Sequence, residues 1–343
     1  MKISFVIYSL GSGGAERVVS LLANYLVNNY EVEIITFTKS ESFYNLDNKI
    51  VHTKLGINYI SKNKIFTVLN VFKRVKKLSS HLKKSNPNIV ISFMTHTNIL
   101  SIVASKIANK KIIISERIAY DFYGKKINII KNIVYRFCDL LIVQTKDDAK
   151  YYRVKKEIIP NPIETRCKPS KKENIILAVG RLDKQKGFDI LIEIFSKIDT
   201  DWRLVIAGDG KERENLKKLV KKDNISLIGN KKDISSWYGK ASVFVLSSKR
   251  EGFPNVLLEA MSCGCACVAF DCPHGPSEII KNGKNGILIE DQNKKKMKEA
   301  IELLIKDESL RKKLANEAKK VKEKYSIEKI VKKWEKVINE CAK

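Results

Sequence analysis

A chain of 343 residues is long enough for two α/β domains, each with its own core. With 44% hydrophobic and 30% charged residues, the composition excludes disordered and fibrous proteins. The net charge of +27, from 65 Lys and Arg against 38 Asp and Glu, implies an anionic partner. A phosphate-bearing substrate, nucleic acid or a bilayer with acidic lipids would each serve. A coding bias toward Lys, Asn and Ile accounts for part of the charge but not for its clustering.

The chain opens on an apolar run, ISFVIY, that leads into a Gly-rich loop without a cleavage site, so it reads as a strand rather than a signal peptide. No stretch approaches the ~18–20 apolar residues needed to span a bilayer, and the expectation is a cytosolic or peripheral protein. The seven cysteines, odd in number and irregularly spaced, read as free thiols of a reducing compartment. Cys263, Cys265 and Cys267, with Cys272 and His274 nearby, span a helix end, a Gly turn and a strand. Their sulfurs should diverge, and no metal site is expected.

The loop SLGSGGAE joins the first strand to a helix over Ala15–Asn28. Glu16 stands where a dinucleotide fingerprint needs its third Gly, so an NAD site is excluded. Gly13 and Gly14 still allow a phosphate to approach the helix N-terminus. Strands recur at VEIITF, IVHTKL, NIVISF, KIIIS and DLLIVQ, alternating with helices as in a parallel sheet covered on both faces. One helix, Lys62–Lys84, sets an apolar stripe (Ile65, Val68, Leu69, Phe72, Val75, Leu78, Leu82) against Lys73, Arg74, Lys76, Lys77, Lys83 and Lys84. It is either a solvated face of a core helix or a basic amphipathic helix for a membrane surface or a diphosphate. His96 lies just past one strand, and Glu116 and Arg117 lie past the next.

Residues 163–173 are polar and charged and read as a linker. Beyond them, NIILAVG is a strand whose C-terminal loop carries both Arg181 and Lys186, a pair suited to an anion. WRLVIAGDG and NISLIGN repeat the strand-then-glycine pattern, the second ending at Gly229. Next, the strand Ala241–Leu246 leads through a turn into a helix. Glu251 stands in the turn and Glu259 on the helix, with Gly252, Phe253, Pro254, Asn255 and Val256 around the helix start. A carboxylate accepts paired hydrogen bonds from vicinal hydroxyls, as on a sugar or ribose. Two Glu at this spacing also occur by chance around a helix start.

With GFPN and EAMSCG around them, Glu251 and Glu259 resemble the Glu-x7-Glu motif of retaining nucleotide-sugar glycosyltransferases of family 4, which have the GT-B fold. That fold has two doubly wound Rossmann-like domains facing across a cleft. The resemblance extends to the GG-A-E loop, to Gly180–Gly187 as the family's G-R-L-…-K-G, and to DCPHGPSEII. The last is similar to a segment of the polysaccharide-building sub-group, which includes the enzyme that polymerises N-acetylgalactosamine on a lipid-linked oligosaccharide. That sub-group's Ser-Glu-Arg-Asn appears here as Ser115, Glu116 and Arg117 followed by Ile118.

The resemblance implies an acceptor-side domain over 1–162, a donor domain over 174–325 and a last helix, 326–343, crossing back to the first. It implies a retaining, metal-independent transfer of an N-acetylhexosamine or hexose, with GalNAc as the best choice. The donor would be a UDP-sugar, and the acceptor a lipid-linked or growing surface glycan at the cytoplasmic face of the membrane.

Arg181 and Lys186 would neutralise the leaving diphosphate, with Gly13 and Gly14 touching it. Glu251 would orient the sugar, and Glu259 the ribose, with Gly229 near the base. Glu116 and Arg117 would contact the donor. His96 and the cations Lys73, Arg74, Lys76 and Lys77 would face the acceptor or the membrane. No cofactor and no nucleic acid is implied, and a monomer is expected. The rivals are a nucleotide-sugar epimerase on the same fold and, from another class, a basic nucleic-acid-binding protein.

Overall fold

The computed structural model describes residues 1–58, 64–163, 167, 168, 170–231 and 233–342, with side chains from 69 onward in the helix that starts at 64 and without that of Asp121. The chain runs through β1 (Lys2–Ile7), α1 (Gly14–Leu26), β2 (Glu31–Thr36), β3 (Val51–Lys54), α2 (Lys64–Ser85), β4 (Ile89–Phe93), α3 (Thr95–Ile107), β5 (Lys111–Ser115), α4 (Lys125–Val134), β6 (Leu140–Val143), α5 (Lys146–Ala149) and β7 (Lys156–Ile158). It continues through β8 (Glu173–Val179), α6 (Phe188–Ser196), β9 (Arg203–Ala207), α7 (Arg213–Leu219), β10 (Ile225–Gly229), α8 (Ser235–Lys240), β11 (Ala241–Leu246), α9 (Asn255–Ser262) and β12 (Ala266–Phe270). The last elements are α10 (Pro276–Ile279), β13 (Ile287–Ile289), α11 (Lys294–Lys306), α12 (Glu308–Ala318), α13 (Val321–Tyr325) and α14 (Ile327–Ala342).

Two compact units result: Met1–Pro162 with Ile327–Lys343, and Ile163–Ser326. The first holds a seven-stranded sheet in the order β3-β2-β1-β4-β5-β6-β7, the second a six-stranded sheet in the order β10-β9-β8-β11-β12-β13. Every strand pair is parallel. Parallel strands covered on both faces need unbroken apolar runs, which ISFVI, NIILAV and ASVFVL supply. Strand order reverses between β1 and β4 and between β8 and β11. Loops leaving these neighbours diverge, and ligands of doubly wound sheets bind in the crevice that this opens.

In the first unit, Ile3, Phe5 and Ile7 of β1 pack with α1 and α14 on one face of the sheet. Val6, Val90 and Ile114 pack with Val75, Leu78 and Leu82 of α2 and with Ile102 of α3 on the other. The last helix belongs to this unit, and Trp334 lies fully buried and stacked on Phe93 at 5.9 Å.

Three expectations change. Residues 62 and 63 of the basic helix lie outside the described residues, as do the side chains of Ile65 and Val68. Of the rest of its stripe, only Val75, Leu78 and Leu82 are buried, while Leu69 and Phe72 are exposed. The polar linker is fastened to the second unit: Ile163 N–H bonds the Tyr325 carbonyl at 2.7 Å, and Lys168 pairs with Asp233 at 2.7 Å. The thiols are not all free. Cys167 and Cys263 form a disulfide across a sequence separation of 96, with Cα atoms 5.4 Å apart. Five cysteines remain as thiols, among them Cys265, which burial pushes up to about 11. Among the described residues no group of three or more His, Cys, Asp or Glu could hold a metal ion.

Candidate active site

In the second unit the loops after β8 and β11, the switch-point neighbours, are joined along their length. Ser247 Oγ donates to the Lys186 carbonyl at 2.9 Å, Lys249 N–H to the Gln185 carbonyl at 2.8 Å, and Gln185 Nε2 to the Arg250 carbonyl at 2.9 Å. Gly187 makes this closeness possible. Its φ is +62°, and a Cβ there would run into the Ser247 carbonyl. The result places Lys186 Nζ 2.7 Å from Glu251 Oε1, with the two side chains 16% and 7% exposed. Ser248 Oγ donates to the same oxygen at 2.6 Å. Arg181, on the same loop as Lys186, is 71% exposed, and its Nε donates to Asp183 at 2.6 Å. The loop thus offers one half-buried cation held on a carboxylate and one solvent-facing cation lightly held.

The strand ends beside this pair are lined by backbone. Gly208 N–H bonds the Gly229 carbonyl at 2.9 Å, and Gly180 N–H bonds the Ala207 carbonyl at 3.0 Å. Gly208 (φ +141°) and Gly229 (φ +72°) adopt conformations that exclude larger residues, so this edge stays open. Pro254 precedes α9, whose first turn has no side-chain cap, although the Asn255 and Leu257 N–H groups already bond the Phe253 and Pro254 carbonyls at 2.9 and 3.0 Å. Phe253 and Pro254 are buried, and Phe253 packs on Tyr325 at 5.9 Å. Their side chains are therefore core, a correction to their reading as ligand contacts, and only their backbone can serve the site. Gly252, Asn255, Val256 and Glu259 are half-buried around the same helix start. Lys172 braces the far end of α9, its ammonium 3.0 Å from the Cys263 carbonyl and 2.8 Å from that of Ala241. A cation there completes the helix's terminal carbonyls.

In the first unit, the loop after β1 brings Gly13 and Gly14 to the uncapped start of α1. Gly13 has φ −77°, so a left-handed turn is not why glycine stands there. Glu16 folds back over the position instead, where a Cβ would meet its carboxylate, and burial raises the Glu16 pKa. The loop after β4 starts at Met94, a non-glycine residue with φ +77°, a strained geometry that tends to gather at functional loops. His96 follows, exposed and edge-on to Tyr123 at 4.9 Å, and partial desolvation lowers its pKa.

Glu116 and Arg117 diverge. The Glu116 carboxyl is buried and accepts from Thr95 at 2.8 Å, Asn98 at 2.9 Å and the Tyr135 hydroxyl, with Lys131 Nζ 3.9 Å away. Burial raises its pKa, with Lys131 and the hydrogen bonds acting the other way. Its reading as a donor contact is corrected, because these internal partners hold the carboxyl inside the fold. Arg117 is buried over Phe93 and Trp334, its guanidinium 5.1 and 5.7 Å from their ring centres, and donates through Nη1 to Asn161. Its Nε and Nη2 have no hydrogen-bond partner among the described residues, and burial lowers its pKa to about 9.

Of the cations of α2, the four read as acceptor or membrane contacts are not equivalent. Arg74 donates to the Ile57 carbonyl at 2.9 Å and Lys77 to the Leu55 carbonyl at 2.6 Å, so both hold the 55–57 segment. Lys73 and Lys76 are exposed.

Doubly wound sheets with glycine-lined strand ends, cations and carboxylates gathered after β8 and β11, and uncapped helix starts define an α/β protein built for a phosphate-bearing ligand. Comparison with known families agrees. Residues 12–166 match the family model described as Glycosyltransferase Family 4, and residues 163–321 match that described as Glycosyl transferases group 1. A Campylobacter jejuni protein is 34% identical, with 99% of each chain covered. It is named GalNAc-alpha-(1->4)-GalNAc-alpha-(1->3)-diNAcBac-PP-undecaprenol alpha-1,4-N-acetyl-D-galactosaminyltransferase. A second from the same organism is 30% identical over 93% of this chain and 94% of its own. It is named N-acetylgalactosamine-N,N'-diacetylbacillosaminyl-diphospho-undecaprenol 4-alpha-N-acetylgalactosaminyltransferase. Among solved structures, Anabaena HepE in complex with UDP-glucose superposes with a TM-score of 0.83 at 16% identity, covering 99% of this chain and 100% of its own. The chain belongs to glycosyltransferase family 4 and is a glycosyltransferase with the GT-B fold.

Proposed function

We propose that this glycosyltransferase moves GalNAc, or a closely related hexose, from its UDP-sugar to a lipid-linked or growing surface glycan at the cytoplasmic membrane face. The transfer retains the anomeric configuration. The observation that carries the reading is the Lys186–Glu251 pair at the switch point. Breaking the sugar–diphosphate bond develops negative charge on the leaving oxygens. A diphosphate arriving at this loop draws Lys186 toward itself, and exposed Arg181 closes on it from solvent. Glu251, relieved of its counter-ion, is free to accept hydroxyl groups of the donor sugar, and Glu259 those of the ribose.

Lys186 and Arg181 neutralise the phosphate charge without a metal ion. Arg117 offers its two unpartnered nitrogens to the donor, and Lys73 and Lys76 meet the acceptor's diphosphate with His96. The names of the two Campylobacter relatives support GalNAc and a polyprenyl-diphosphate acceptor, and the HepE complex supports a UDP-sugar.

The test offers purified protein a panel of UDP- and GDP-linked hexoses and N-acetylhexosamines with a polyprenyl-diphosphate glycan, with and without a metal chelator. NMR of the product reads its anomeric configuration. Transfer from UDP-GalNAc with the α configuration kept, unaffected by chelator, is expected. An inverted product, chelator-sensitive turnover, or donor conversion without an acceptor, as an epimerase would give, overturns the reading.

A further inference from the structure

Helix α4, KKINIIKNIV, is inverted relative to the ordinary surface helix. Its one buried residue is Lys131, while Ile129, Ile130 and Ile133 are 60%, 45% and 55% exposed. Phe137, a turn further on, is 59% exposed. Residues 129 and 133 lie one turn apart on α4 and form a ridge, and exposed Phe137 follows it in a short 3-10 turn, Tyr135–Phe137. Surface helices normally set such a ridge against the core and turn their lysines to water. Here Lys131 points inward to Glu116, its ammonium 4.4 Å from the Tyr120 ring centre, and the isoleucines face solvent. An apolar ridge held in water is the mark of a surface that something else covers.

The charge around the ridge says what covers it. The sequence from Phe122 to Phe137 contains no Asp or Glu. Lys125 and Lys126 precede the ridge and Arg136 adjoins Phe137; all three are exposed and form no ion pair among the described residues. Beside them lies a recess of about 340 Å³ lined by Tyr120, Tyr135, Tyr151 and Tyr152, with Arg136 and Arg153 also on its wall. Tyr120 and Tyr151 stack at 4.7 Å. Aliphatic residues for acyl chains, tyrosines for the headgroup layer and unpaired cations for phosphate together match an acidic bilayer. A second copy of this chain would bring the same cations against themselves.

We infer that α4 and Phe137 are the face with which this protein lies on an acidic phospholipid bilayer, Arg136 and Arg153 receiving lipid phosphate at the tyrosine-lined recess. The inference rests on the proposed lipid-carried acceptor and gives that acceptor's membrane its contact surface.

The test floats the full-length protein with phosphatidylglycerol-containing vesicles and with pure phosphatidylcholine vesicles. Wild type should bind the first and not the second. The triple variant Ile129→Ser, Ile133→Ser, Phe137→Ser should bind about tenfold more weakly or less, and Arg136→Gln with Arg153→Gln several-fold more weakly. Both should bind UDP as wild type does, since none of these residues belongs to the donor site. Ile130→Cys carrying a polarity-sensitive dye gives a reading that does not depend on the triple variant folding. Its emission should shift to the blue on acidic vesicles. Undiminished vesicle binding by the triple variant, no dye shift, or a wild-type dimer that the triple variant dissociates would each overturn the inference. Vesicle binding through α4 without glycosyl transfer would leave the inference standing and remove the proposed function.

Discussion

Replacing Glu251 with Gln separates the two halves of the proposed mechanism, because it should move binding and turnover in opposite directions. Glu251 Oε1 holds Lys186 at 2.7 Å and accepts from Ser248 at 2.6 Å. A hydrogen bond to a charged group contributes about 1.5–3 kcal/mol. Gln keeps the shape and a neutral acceptor, so roughly 1 kcal/mol of the hold on Lys186 is lost. Lys186 then turns to a diphosphate more readily, and UDP should bind about five-fold more tightly. The donor sugar loses its ionised acceptor in the same step, and turnover should fall on the order of 10²-fold. Calorimetry with UDP and steady-state rates at saturating donor read the two effects separately. Weaker UDP binding by Glu251→Gln would refute the reasoning, because Lys186 could not then be shared between carboxylate and diphosphate.

Three further outcomes follow from named contacts. Arg181→Ala should lower turnover 10²–10³-fold, as for other groups that stabilise transition-state charge. The melting temperature should hardly move, because the exposed Arg181–Asp183 pair contributes at most about 1 kcal/mol; turnover within threefold of wild type would take Arg181 out of the mechanism. Glu259→Gln should weaken UDP binding about tenfold in calorimetry, opposite in sign to Glu251→Gln, since loss of a well-made ribose contact is worth ~1–2 kcal/mol; unchanged affinity would remove the ribose assignment. Glu33 is buried, and although burial pushes its carboxyl up, hydrogen bonds from His81, Thr53 and Ser4 outweigh this and hold it at about 2, below its usual 4.5. Its ionised form thus stabilises the fold above pH 4.5, and a contribution on the order of 2 kcal/mol drains away as pH falls from 4.5 toward 2. Urea melts should show that loss in wild type and a flatter acid limb in Glu33→Gln.

The sheets could be read from the chain because parallel strands carry unbroken apolar runs, and the site loops because each begins where such a run stops. Lys186 and Glu251 were both singled out, but their contact was not legible. It depends on β8 lying beside β11 with two strands intervening in sequence, an adjacency that only the closed sheet creates. The Cys167–Cys263 disulfide was hidden for the same reason, since it needs Cys167 to lie at the end of α9, 96 residues on in sequence. Arg74 and Lys77 shared the charge and spacing of Lys73 and Lys76, and periodicity carries no mark of which cations a neighbouring carbonyl will take.

The fate of Glu116 and the inversion of α4 have one cause. The Glu116 carboxyl leaves β5 into a buried position, where an isolated charge would be strongly unfavourable without a partner. Lys131 is that partner, and a helix with Lys131 turned to the sheet must carry Ile129, Ile130 and Ile133 on its outer side, because successive residues advance by 100° around the axis. Removing either charge would leave the other buried and uncompensated, at a cost of about 3–5 kcal/mol. The rotation of α4 is therefore fixed by an ion pair and not by its own apolar residues. The sequence KKINIIKNIV would satisfy an ordinary core better if turned about, and it is kept from doing so by Glu116, which lies before the helix begins at Lys125. A carboxylate that looked like a donor contact acts instead by aiming three isoleucines at solvent, where a bilayer can take them.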